Sequence, residues 1–270
     1  MTTFVDRKEN RTEKKSGRLP LILLGVFAVA CVVALIFVGD MARYQEAGMF
    51  DESQAALREV NDPEQLDQVL KRHRANRILK LIALANEKSV EIDAATRKMI
   101  SEAEPAALAK PANLTTSNRS DLDALRRDLK TAEGNLANVK SRVDALINGK
   151  RDELQNGARS LGLEGAVVTR FVAAVDEQHA GMKALVAKVL AARAEYYSAY
   201  DKCAALLVKE FGTYKVAGGQ FIFRLQPAAD SYNAASRAMT TATQRAAELE
   251  QERAGLKQSE LNRWKKFVGP

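Results

Sequence analysis

Few residues in this sequence could do chemistry, and their spacing limits what that chemistry could be. There are two histidines. His73 sits in Lys71-Arg72-His73-Arg74, where flanking cations oppose a bound metal, and His179 falls on the flank of a long helical stripe, so both read as ordinary surface or boundary histidines. The two cysteines, Cys31 and Cys203, cannot form a disulfide framework. Carboxylate pairs such as Asp121/Asp123 and Glu248/Glu250 stand two apart on helices, do not face each other and read as solvated surface. No GxGxxG follows a strand, and no phosphate-binding loop, HExxH, CxxC or GxSxG occurs. No catalytic, cofactor-binding or metal-ligating residue is singled out, so neither an enzyme nor a cofactor is expected. One surface cluster stands out: Arg263, Trp264, Lys265, Lys266 and Phe267 mix cations with aromatics near the C-terminus. They read either as a basic final helix turn complementing the helix dipole or as a contact with the headgroup layer of a membrane.

The element that would bring a membrane near is Leu19–Gly39, twenty-one residues without a charge. As a helix it spans roughly 31 Å, enough for a hydrocarbon core of about 30 Å. Residues 1–18 hold six basic and three acidic side chains. Residues 40–59 hold Asp40, Glu46, Asp51, Glu52 and Glu59 against Arg43 and Arg58. The positive-inside bias therefore leaves the N-terminus in the cytoplasm and exports the rest. Two alternatives compete. A cleaved signal peptide has a shorter apolar core and a small-x-small site, and none convincing lies between Asp40 and Gly48. Ala28-Val29-Ala30-Cys31 loosely matches a lipobox, but Val32–Val38 continue the apolar run past the cysteine. An uncleaved anchor is the reading adopted, with Cys31 in lipid and Cys203 a lone buried thiol outside. An intermolecular bridge through Cys203 is the lesser alternative.

Of the formal charge of +7, the first 18 residues supply +3, leaving +4 for the remainder. Such a mild excess argues against a nucleic-acid platform. The 46% hydrophobic content with 6% aromatic, 15 Gly and 6 Pro suits long packed helices rather than sheet. Three Asn-x-Ser/Thr matches, at Asn10, Asn113 and Asn118, carry no weight in a bacterial setting.

The predicted organisation is a basic tail (1–18), a transmembrane helix (19–39), membrane-proximal helices (40–104), a linker (105–119) and a long-helix bundle (120–270). Asp62-Pro63-Glu64-Gln65 opens a helix that is expected to continue to about Glu102. Pro105, Pro111 and Asn113–Ser120 make the linker. Ser120-x-x-Asp123 opens the next helix, whose seam of Leu122, Leu125, Leu129, Ala132, Leu136, Val139, Val143 and Leu146 alternates steps of three and four. After Gly162-Leu163-Glu164-Gly165, a second long helix repeats Val168, Val175, Met182, Val189, Tyr196 and Cys203 at seven. Phe171, Leu185, Ala192, Ala199 and Leu206 fill the second core position, with Gln178 as the exception. Val172, Val186, Tyr200 and Leu207 widen this stripe, as a helix covered on two sides requires. Gly212 reads as its C-terminal cap.

Residues 213–223 change period. Gly218-Gly219 predicts a primed hairpin turn that sets Val216 against Phe221 and Tyr214 against Phe223, with all four pressed onto the helix ends. Pro227 starts a last helix with the seam Ala228, Tyr232, Ala235, Met239, Ala242, Ala246 and Leu249, reaching about Phe267. If the anchor continues outward through the first helices, the next three run down, up and down. That parity returns the C-terminus to the membrane and places the hairpin roughly 60 Å away for 40-residue helices.

A helix ending in Gly212, a hairpin turned at Gly218-Gly219 between aromatic strands, and a following helix with Ser231-Tyr232-Asn233 resembles an uncharacterised family of bacterial envelope lipoproteins, over about residues 205–245. The resemblance implies an envelope location and a helical fold, and no activity. The chain departs from that family in carrying the longer apolar anchor in place of a proper lipobox.

The sequence therefore predicts an all-α protein: one N-terminal transmembrane helix, then an elongated antiparallel bundle with one small β-hairpin. It is expected in the bacterial inner membrane as a single-pass protein with a periplasmic domain. Its expected work is structural or protein-interaction work in the cell envelope. The expected partners are membrane lipid through residues 19–39, an unidentified envelope protein and, as a further candidate, a second copy of itself; nucleic acid is not among them. The alternative is a ligand-sensing or solute-binding bundle, which needs convergent polar side chains in a pocket between helices. An 18-residue tail is expected to leave no room for a signalling domain.

Overall fold

The computed structural model describes residues 45–61, 63–109 and 112–269 of the protein, and they are all-α apart from one two-stranded hairpin. The predicted tail (1–18) and span (19–39) lie outside the described residues. Among the described residues no helix is long and apolar enough to cross a membrane.

The helices are α1 (45–58), α2 (Pro63–Arg72), α3 (Arg77–Glu102), α4 (Arg119–Ser160), α5 (Gly165–Lys209) and α6 (Gln226–Val268). A short 3-10 turn, Ala106–Ala109, lies in the linker, and β1 (Lys215–Ala217) and β2 (Gln220–Ile222) separate α5 from α6. The four long helices alternate in direction. Lys150 on α4 bonds Glu91 on α3, Arg126 and Arg151 on α4 bond Asp201 and Asp176 on α5, and Lys188 on α5 bonds Glu252 on α6. In each pair of helices the numbering runs in opposite senses, which short connections between packed helices favour.

The single helix expected from Pro63 to about Glu102 is two. Asn76 breaks it: its side chain accepts from the backbone N–H groups of Ile78 and Leu79 and donates to Met49 O and Glu52. The break is fixed by contact with α1, because no Gly or Pro marks it in the sequence. The cap of α4 also moves by two residues. Asn118 and Asp121 close a reciprocal capping box, so the helix starts at Arg119 rather than at the Ser120 pattern.

The α4 seam is buried as predicted from Leu122 to Val143, but it then continues through Ile147, Leu154 and Ala158 while Leu146 is only partly buried. A seven-residue repeat drifts against 3.6 residues per turn, and here the stripe shifts by one residue near its end. On α5 the predicted stripe is only partly the buried one. Met182, Val189, Tyr196 and Leu206 are half-buried while Val167, Leu190, Tyr197 and Ala204 join the core, because the helix packs against α4 on one side and α6 on the other.

Two cores result. At the base, α1, α2, α3, the end of α4, the start of α5 and the end of α6 enclose Leu57, Ile78, Leu81, Phe171 and Trp264. Further along, α3, α4 and α5 enclose Ile92, Leu129, Val143 and Tyr197, with Leu108 and Leu114 of the linker packed on them. Beyond α3, α6 lies on α5 through Ala228, Ala235, Ala242 and Leu249, one buried residue every two turns, while Ala246 is exposed. Small side chains at that spacing let the two backbones approach closely.

The hairpin register pairs Val216 with Phe221, and Gly218 and Gly219 both take positive φ (57° and 75°), the conformation a primed two-residue turn requires. Phe221 and Phe223 pack on Tyr232 of α6 at 5.3 and 5.4 Å from its ring, and Tyr214 packs on those two phenyl rings. Val216, expected on the same packed face, stays 42% exposed.

Candidate functional site

The C-terminal cluster is not a surface band. Trp264 is fully buried and Phe267 is 5% exposed. Trp264 stacks on Phe171 at 6.0 Å and meets Phe267 edge-on, and Phe267 meets Phe50 of α1 at 5.9 Å. The Arg170 guanidinium lies over both phenyl rings and donates to the Phe267 carbonyl. The two aromatics expected at a membrane surface are thus enclosed by protein, since Leu261, Trp264 and Val268 fall at core spacing on α6. Of the cations, Lys266 is exposed, Lys265 half-buried, and Arg263 lies 3.7 Å from Glu177 on α5. The cluster locks the end of the chain to residues 49–60.

The histidines separate. His73 Nδ1 lies 2.8 Å from Glu52, joining α1 to the loop after α2. His179 is a core residue, 6% exposed, with Nδ1 lacking a hydrogen-bond partner, so the surface or boundary expectation does not hold for it. Desolvation pulls its pKa down to about 4, with Lys183 and Arg151 adding to the effect and Asp176 opposing it. Cys203 is 1% exposed and burial pushes its thiol up to about 11, which makes it inert and out of reach of a second chain. Among the described residues no group of His, Cys, Asp or Glu side chains comes together as could hold a metal ion. Glu248 and Glu250 pair with Arg245 and Arg253, and Asp121 serves the α4 cap.

Two features could support function. The first is a groove of about 680 Å³ between α3, α5 and α6. Gln178 of α5, the polar exception in the predicted stripe, is 7% exposed and donates to Ser89 Oγ of α3 at 3.1 Å. Ser89 Oγ in turn lies 3.5 Å from Glu260 Oε2 of α6. Glu260 Oε1, Nε1 of the neighbouring Trp264 and Oγ1 of Thr96 (2% exposed) are all buried without a hydrogen bond of normal geometry. Burial pushes the Glu260 carboxyl pKa up against the opposing pull of Gln178, Trp264, Arg263 and Ser89. Ile92, Leu185, Val186 and Leu256 supply apolar wall, and Val90, 62% exposed, stands at the rim. Apart from Gln178, the sequence gives no sign of this site. Ser89 and Glu260 lie on two other helices among polar neighbours, and only packing brings them together.

The second is the hairpin end. Phe211, Val216, Ile222 and Leu225 are 41%, 42%, 54% and 58% exposed. They fall within fifteen consecutive residues, beside the exposed cations Lys209, Lys215 and Arg224. Burial beneath the hairpin pushes the Tyr232 hydroxyl up to about 12, so this end keeps a packed aromatic interior under an apolar exterior.

No family model, curated protein or solved structure matches the chain.

Proposed function

We propose that the protein is a helical-bundle device of the bacterial cell envelope, held in the inner membrane by residues 19–39 with its N-terminus cytoplasmic and residues 40–270 periplasmic. Its work is structural: it presents the hairpin end to a partner protein. The observation that carries this reading is the placement of exposed apolar side chains. Residues 49–60 and the end of α6 are locked together at one end of the bundle, close in sequence to the proposed anchor. Phe211, Val216, Ile222 and Leu225 gather at the other end, about 67 Å away by the length of the 45-residue α5. Large apolar side chains exposed together at one end of a fold are a mark of interaction surfaces. Lys209, Lys215 and Arg224 favour a partner patch that is apolar with an acidic rim. The resemblance of residues 205–245 to envelope lipoproteins is in keeping with the compartment.

A photo-crosslinking amino acid at Ile222 or Leu225, in intact cells, is expected to trap one discrete partner. The same probe at exposed Lys80, on the base, is expected to trap none. An adduct of twice the chain's mass would make the partner a second copy. Equal yields from both ends would sink the reading.

A second reading, solute binding, is favoured by the groove. Ser89, Gln178 and Glu260 converge there from three helices, and the Thr96 hydroxyl is buried without a partner. Sites for small molecules are typically concave and largely apolar, with a few placed polar groups.

A further inference from the structure

At the hairpin end, the surface proposed above for a partner protein, β1 has an open outer edge. The register pairs Lys215 with Ile222, Val216 with Phe221 and Ala217 with Gln220. The two-residue turn makes Ala217 and Gln220 the hydrogen-bonded pair that closes it, so Val216 and Phe221 form the non-hydrogen-bonded pair that follows. The N–H and C=O of Val216 therefore point away from β2, along the outer edge of β1. Among the described residues, no hydrogen bond reaches that edge. An open edge is a template for another strand unless proline, a bulge, a covering element or a charge blunts it. Of these devices β1, which is exposed at all three residues, has only Lys215. A lysine that deters other strands favours an acidic one.

The two faces of β1 set what such a strand must carry. Val216 shares a face with Phe221, whose ring lies 5.3 Å from Tyr232 and 5.3 Å from Tyr214. Phe221 is half-buried there, yet Val216 stays 42% exposed, and Phe211, edge-on to Tyr214 at 6.3 Å, is 41% exposed. An apolar side chain set beside Val216 would bury surface that the hairpin leaves in water. Lys215 occupies the opposite face, across from Ile222. Residues 211–225 include Lys215 and Arg224 and no acidic residue. Among the described residues neither of these cations nor Lys209 pairs with a carboxylate, and Glu210 accepts from Thr213 instead. Along the helices, by contrast, Arg126, Arg151 and Lys188 each find a carboxylate on a neighbouring helix. A segment alternating acidic and apolar residues complements both faces at once. A second copy of β1 would set lysine near lysine, which opposes self-pairing.

We propose that β1 takes up an extended segment of the partner protein as a third strand, with apolar residues beside Val216 alternating with acidic residues beside Lys215. Main-chain bonds to the N–H and C=O of Val216 hold the segment, and because β1 is short, side chains select it. This assignment rests on the hairpin end being the surface presented to a partner protein.

The full chain in phosphatidylcholine nanodiscs is titrated into a fluorescein-labelled heptapeptide of alternating glutamate and valine, and anisotropy reports binding. A second peptide carries lysine in place of glutamate. A third has methylated backbone nitrogens, which keeps the side chains and removes the strand donors. On the protein, Val216→Pro deletes the outward N–H without touching the donors of the β1–β2 ladder, and Lys215→Glu reverses the charge. Helical circular dichroism checks both variants. The methylated peptide tests the same bonds on the unaltered protein, so the outcome stands even if Val216→Pro disturbs the hairpin.

The expected result is saturable binding of the glutamate–valine peptide and none of the lysine peptide. Val216→Pro and backbone methylation should each weaken it about fivefold or more, as the loss of a hydrogen bond predicts. Lys215→Glu should weaken it about threefold or more. Equal affinity for methylated and unmethylated peptides would overturn strand addition while leaving the hairpin end as a partner surface. No saturable binding of the glutamate–valine peptide, or tighter binding of the lysine peptide, would also overturn the proposal. Crosslinking from Ile222 and Leu225 decides the partner reading separately.

Discussion

Replacing His179 by Leu should remove an acid sensitivity that the fold builds into α5. The imidazole is 6% exposed and Nδ1 has no hydrogen-bond partner, so its neutral form is the one the core tolerates. Burial lowers its pKa from 6.5 to about 4. The sign follows from proton counting. Between those two values the unfolded chain binds a proton that the folded chain refuses, so stability is full above pH 6.5 and is lost as the pH falls toward 4. Over the whole interval the loss is about 3 kcal/mol, and about 2 kcal/mol of it has accrued by pH 5. A leucine there has nothing to titrate and leaves no polar atom stranded. The assay is urea unfolding of wild-type and His179→Leu protein, followed by Trp264 fluorescence at pH 7.5 and pH 5. Taking the difference between the two proteins at each pH cancels the other groups, such as Glu260, whose raised pKa acts in the opposite direction. The stability of wild type relative to the variant should fall by about 2 kcal/mol between the two conditions. A difference unchanged within about 0.5 kcal/mol would refute the burial argument.

Trp264→Ala should cost about 3–5 kcal/mol, because a fully buried ring that closes the base core leaves a cavity; chemical unfolding measures it, and a loss under about 1 kcal/mol would return Trp264 to the surface. Asn76→Ala should cost about 2 kcal/mol or more, since it strips two N–H caps from α3 and the bonds to Met49 and Glu52; thermal unfolding by circular dichroism tests this. Cys203 should not react with an aromatic disulfide reagent until urea unfolds the chain, in keeping with a buried thiol raised to about 11; prompt labelling of folded protein would contradict it.

Much of the architecture can be read from spacing. The α4 seam, the widened α5 stripe, the break at Gly162 and the register across Gly218-Gly219 follow from periodicity and from residues that permit positive φ. What spacing misses is tertiary. The interruption at Asn76 comes from its bonds to α1, not from a local breaker, so the apolar pattern runs straight through it. The α4 cap carries two overlapping signatures, and Asn118-x-x-Asp121 wins over the later one because it closes both hydrogen bonds of the box. Trp264 and Phe267 look like surface residues beside their cationic neighbours, although Leu261, Trp264 and Val268 already have the spacing of a buried face. His179 sits on a flank of its stripe, and a helix covered on two sides buries its flanks as well. The groove is legible only through Gln178, since Ser89 and Glu260 stand 171 residues apart and meet only in the packed bundle.

The proposed role requires the hairpin end to face outward from a membrane-held base. Ile222→Cys in the full chain, labelled with a membrane-impermeant maleimide in intact spheroplasts, tests this directly, because Cys203 is buried and stays silent. The predicted result is labelling before lysis, at a level the unsubstituted chain does not show. Labelling that appears only after the membrane is broken would contradict it.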